Sequence, residues 1–144
     1  MSISESADRF GRLVSPRTFV ALALGTALAL GRRPGASRIA LATLLATLAS
    51  RVCKDALPRR RPRWFTSDPR RSFPSGHSAT STAYLVSTAL TAPPRYRPVA
   101  LALAATGIAV VDAARVVAYA HWPSDVIAGD AVGLLSVAAA SVRR

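Results

Sequence analysis

The 144-residue chain holds one cysteine, two histidines and a single lysine, and each scarcity excludes something. Cys53 alone rules out an intrachain disulfide and reads as a small apolar residue near a helix end. Acidic residues are also few, 7 against 19 basic ones, which leaves a formal net charge of +12. There is no convincing internal repeat and no cluster of residues with metal-ligand spacing, so neither a metal nor another cofactor is expected. No cleavable signal peptide is expected either. The first apolar run begins only near Thr18, after a polar start of mixed charge.

What is abundant is apolar: 51% of the residues are hydrophobic. A soluble protein this basic would be a nucleic-acid binder with its cations spread over one face. Here they fall in short clusters between long uncharged stretches, the pattern of segments that cross a bilayer. The runs cover roughly 18–31, 38–53, 77–92, 98–120 and 126–142. Most fall short of the ~20 residues that span a full hydrocarbon core. However, they are Ala, Leu, Val and Thr nearly all round, and five such helices leave no polar face for water. The expected fold is therefore all-α, an integral-membrane bundle of about five helices, with small residues allowing close packing. Residues 1–17 read as an N-terminal interfacial or flexible segment, and 18–144 as one transmembrane domain.

The connection 54–76 is long and rich in Arg and Pro, as functional loops often are. Three patterns sit at the ends of apolar runs: Lys54 with Arg61-Pro62, then Pro74-Ser75-Gly76-His77, then Arg115 with His121 and Asp125. In physical terms these are parts for phosphoryl transfer, which proceeds by positioning and charge stabilisation. Lys54, Arg61 and Arg115 can neutralise a phosphate without a metal, the arginines through planar forks. Ser75 and Gly76 precede a helix, where a serine can cap and free N–H groups favour an anion. His121 can attack phosphorus if one ring nitrogen is bare, and Asp125 four residues on can accept the other N–H. His77 is then the general acid.

Together and in this order, the patterns over residues 54–125 resemble the signature of the type 2 phosphatidic acid phosphatase (PAP2) superfamily. That superfamily also contains soluble acid phosphatases and vanadium haloperoxidases. The resemblance implies a membrane lipid-phosphate phosphatase, with His121 as nucleophile, His77 as acid, Asp125 as orienting group, and Lys54, Arg61, Ser75, Gly76 and Arg115 around the phosphate. One departure stands out: the third motif usually has Ser before its Arg, and here the residue is Ala114. Both histidines and the only lysine fall on motif positions, which chance placement does not explain.

Other residues carry lesser expectations. Arg59, Arg60, Arg63, Arg70 and Arg71 are expected at anionic lipid headgroups, worth ~1 kcal/mol each. Trp64, Phe65 and Trp122 are expected as interface anchors, with Trp122 also placed to wall the pocket. Asp112, one turn before Arg115, is expected to pair with it, whereas Asp130 has no assignment. Arginines balance across the two membrane faces, so only the resemblance favours an outward-facing site in the cell membrane. The expected partners are membrane lipids and a lipid-linked phosphate, not nucleic acid. A polyprenyl-linked phosphate or diphosphate is favoured over phosphatidic acid or phosphatidylglycerol phosphate. A non-catalytic binder of anionic lipid accounts for the charge and apolar runs but not for the His–Asp spacing.

Overall fold

In the computed structural model, residues 2–33, 35–62 and 69–142 are described. They form α1 (Ile3–Leu13), α2 (Pro16–Leu30), α3 (Ala36–Ala56), α4 (Gly76–Ala89), α5 (Arg97–Val117) and α6 (Pro123–Val142), with no strand among the described residues. The sequence punctuates these helices. Ser2 and Glu5 close a capping box at α1, and Ser15 caps α2 with Pro16 in its first turn. Gly31 and Gly35, at φ 57° and 99°, make the turn between α2 and α3, where a Cβ would be strained. Tyr119 is the one non-glycine residue at positive φ among those described (53°) and ends α5 just before His121.

Among the described residues, four segments are long and apolar enough to cross a membrane: Ile3–Leu30, Ala36–Ala56, Arg97–Val117 and Pro123–Val142. The exception, α4, spans only 14 residues, or about 21 Å at helical rise. Its short, Ser- and Thr-rich sequence suits its place, because α4 is the inner helix packed by α2, α3, α5 and α6. Ser78, Thr80, Ser81, Thr82 and Ser87 on it are all buried. The core between α3, α4 and α6 is built of Ala42, Ala46, Ala79, Ala83, Val137 and Ala140.

Small side chains let the backbones meet. A Cβ on Gly129 of α6 would lie 2.5 Å from the Ser75 carbonyl, and one on Gly133 would lie 2.7 Å from that of Ala79. This Gly-x-x-x-Gly seam locks α6 against α4. The helices alternate in direction, so the C-terminal ends of α3 and α5 lie with the N-terminal ends of α4 and α6. Every motif residue sits at that end, and α1 lies across it against α5.

Candidate active site

The loop after α3 is folded back on itself. Arg59 and Arg61 donate backbone N–H groups to the carbonyls of Arg70 (2.8 Å) and Pro69 (2.9 Å), and Ser72 donates to that of Arg59 (3.0 Å). Lys54 staples the returning strand of chain, its Nζ donating to the Arg71 carbonyl at 3.0 Å and also reaching those of Ser72 and Pro74. Trp122 fastens the loop to α6 by donating from Nε1 to the Arg60 carbonyl (2.9 Å), and Arg59 lies over its ring. Arg63, Trp64 and Phe65 lie outside the described residues.

His121 is 3% exposed, in the turn between α5 and α6. Its Nε2 lies 3.2 Å from Nη1 of Arg61, a group that only donates, so Nε2 is the bare nitrogen and Nδ1 carries the hydrogen. Nδ1 points toward Asp125 but stops 3.7 Å from Oδ2 and has no hydrogen bond. That is about 0.5 Å beyond the longest ordinary N–H···O distance. Asp125, fully buried, is meanwhile held by Ser72 Oγ (2.5 Å), the Trp122 N–H (2.9 Å) and Arg59 Nη1 (2.7 Å). Burial holds the His121 imidazole down at about 4, with Arg61, Lys54 and Arg115 adding to the effect against the opposing pull of Asp125.

His77 opens α4 beside Gly76, and its Nε2 donates to the Gly11 carbonyl of α1 at 3.0 Å. It lies close enough to Arg115, His121 and Arg61 to feel their charge. The Arg115 guanidinium is buried flat against Gly11, where a Cβ would fall 1.7 Å from Nη1; the same Nη1 is 4.0 Å from Asp8. Lys54, Gly76, His77 and Arg115 line a cleft of about 510 Å³, roofed by α1. A second cavity of about 560 Å³ lies beside Arg60, Arg61 and Arg70.

Sequence reasoning and structure part at four places. Ser75 caps α4, but it is fully buried, its N–H donating to the Asp125 carbonyl (2.8 Å) and its Oγ turned to Ser78. It does not line the cleft, so in this conformation only Gly76 and His77 of that motif face an incoming phosphate. Asp112 does not pair with Arg115. It accepts from Ser78 (2.6 Å) and contacts Asp130, which in turn accepts from Thr82 (2.7 Å). Arg59 pairs with Asp125 and Arg71 with Asp55 (2.8 Å), so neither is a spare headgroup cation. Finally, α1 was an interfacial or flexible segment in sequence terms; its Gly11 and Asp8 meet the site's His and Arg. No motif signals that contact, although the unusual glycine within a polar helix is its trace. Ser15, Thr47 and Ser50 bring hydroxyl groups to the cleft lining.

The geometry can be compared with known proteins. A profile of the PAP2 superfamily matches residues 35–143, which takes in every motif above. No curated protein matches the chain. The crystal structure of Aquifex aeolicus LpxE is similar over 97% of this chain and 86% of that one, with a TM-score of 0.73 at 20% identity, a likeness of fold. Apolar helices fit for a bilayer, a cationic cleft at one end and the family's profile over most of its length converge: the chain belongs to the PAP2 superfamily, as a membrane-held phosphatase.

Proposed function

We propose that the protein hydrolyses a phosphomonoester or diphosphate of an amphiphilic lipid, with a polyprenyl phosphate, polyprenyl diphosphate or polyprenyl-linked sugar phosphate favoured, through a phosphohistidine formed on His121. The observation that carries this reading is the bare Nε2 of His121, aimed at Arg61, with its Nδ1–H directed to an anchored carboxylate. An incoming phosphate takes the place of neighbouring carbonyls on Lys54 and Arg61 and lies against the Arg115 guanidinium. Its charge favours a second proton on His77. Nε2 of His121 attacks phosphorus, the bond to the bridging oxygen breaks, and His77 gives its added proton to the departing oxygen. The imidazolium left on His121 draws Nδ1–H toward Asp125, closing the gap as charge develops. Neutral His77 then takes a proton from water, whose oxygen attacks phosphorus. The P–N bond breaks and inorganic phosphate leaves. First-turn N–H groups of α4 and its dipole add to the anion's hold at Gly76 and His77.

The test is phosphate release by detergent-purified protein from a panel of polyprenyl phosphates and diphosphates, phosphatidic acid and phosphatidylglycerol phosphate, with chelator present. Label from ³²P-substrate is expected on His121, and His121→Ala should release nothing. Activity that vanishes with chelator, or survives in His121→Ala, overturns the mechanism.

A further inference from the structure

The cleft holds more positive charge than one phosphate uses. Arg12, Arg17, Arg51, Lys54 and Arg115 line it, with Asp8 the single acid among its lining residues. Asp8 serves Arg12 and faces Arg115. A phosphate monoester brings a charge of about −2 at most, which Lys54, Arg61 and Arg115 already exceed. Arg17 and Arg51 remain, exposed and without an ion pair among the described residues. Neither is in a family motif, and Arg17 precedes the residues that the family profile matches.

These two arginines also stand where the cleft changes character. Pro16, Arg17, Thr47 and Arg51 line both the cleft and a third cavity of about 430 Å³, which continues between α2 and α3. There the walls become Val20, Ala21 and Leu24 on one side and Leu44 and Leu48 on the other. Residues 17, 20, 21 and 24 follow one face of α2, and 51, 48, 47 and 44 run antiparallel along α3. Each pair of faces therefore goes from arginine to leucine over about 10 Å. Leu24, Leu44 and Leu48 are 44%, 39% and 57% exposed, so the groove opens sideways to the bilayer.

We infer that cleft and groove form one bent site for a lipid bearing two linked anionic groups. The reacting phosphate sits by Lys54, Arg61 and Arg115, the second anion lies on Arg17 and Arg51, and the hydrocarbon chain runs along the α2–α3 groove. The inference rests on the phosphatase reading above and narrows its substrate to the diphosphate class. Moving a chain from bilayer to groove gains little hydrophobic energy, since lipid is as apolar as leucine. The groove fixes the depth and direction of the chain, and the arginine pair carries the selectivity.

The experiment compares kcat/KM on three substrates: a polyprenyl diphosphate, the monophosphate of the same chain, and water-soluble p-nitrophenyl phosphate. Arg17→Gln and Arg51→Gln are each expected to lower the diphosphate-to-monophosphate ratio by about tenfold, one lost charge-assisted contact. Ala21→Trp and Leu48→Trp, two independent ways to fill the exposed groove, should each lower the lipid-to-soluble ratio by about tenfold. Ratios equal to wild type in an active enzyme overturn the inference and leave the phosphatase reading intact. A wild-type protein that releases phosphate from none of the three overturns both.

Discussion

Gly129→Ala adds one methyl group at the tightest place in the α4–α6 seam, and its cost can be worked from the structure. The new Cβ would lie 2.5 Å from the Ser75 carbonyl oxygen, 2.8 Å from Ser78 Cβ and 3.2 Å from the Ala79 nitrogen. Two of these are backbone atoms of a buried helix, so no flexible side chain can swing aside. Overpacking of this kind costs about 1–3 kcal/mol. Alanine's better helix propensity returns at most ~1 kcal/mol. The net is a loss of up to about 2 kcal/mol, and more where relief requires α6 to move from α4. Gly25→Ala is the matched control. Its Cβ meets nothing within 4 Å on exposed α2, so the propensity term acts alone and the change stabilises by about 0.5–1 kcal/mol. Thermal unfolding in one detergent should therefore shift in opposite directions for the two variants. Phosphate release should fall only in Gly129→Ala, because separating the helices breaks the Ser75 N–H to Asp125 carbonyl bond. A Gly129→Ala protein as stable and as active as wild type refutes the reasoning.

Other outcomes follow from the site. With the His121 imidazole held at about 4 by burial, the acid limb of kcat/KM should fall near pH 4; a limb at 6.5 would show the ring to be solvated. The sign for stability agrees: unfolded chain binds that proton first, so the contribution is full above pH 6.5 and lost as pH drops toward 4. Arg59→Gln removes one charge-assisted bond from Asp125 and should lower kcat about tenfold with little change in KM; an unchanged kcat removes Arg59 from the assembly. Asp112→Asn keeps an acceptor for Ser78, whereas Asp112→Leu does not, so the second should unfold at lower temperature; equal midpoints contradict the network.

Fold class and motif positions were legible because both are local. A bilayer segment declares itself by composition, and Lys54, His77, Arg115 and His121 lie at helix ends that the apolar runs delimit. The inner helix was visible only as another apolar run; its fourteen residues and its serines make sense once four neighbours surround it. Pairings across the fold were not legible. Arg59 stands among several arginines in one loop, and nothing local says that it meets Asp125. Asp112 has the right helical spacing for Arg115, but a serine on another helix lies nearer its carboxylate. Ser75 was placed at its cap, yet the direction of its hydroxyl depends on Ser78, and its N–H on α6. Such choices belong to the packing of helices distant in sequence.

At Gly129 and Gly133, main chain touches main chain with no side chain between. The distance from His77 on one helix to the Asp125 carboxylate on the other is thus a fixed dimension of the scaffold. On the inferred substrate path, substitutions on the lipid-facing surface of α2 and α3 reshape which molecules enter without retuning that dimension.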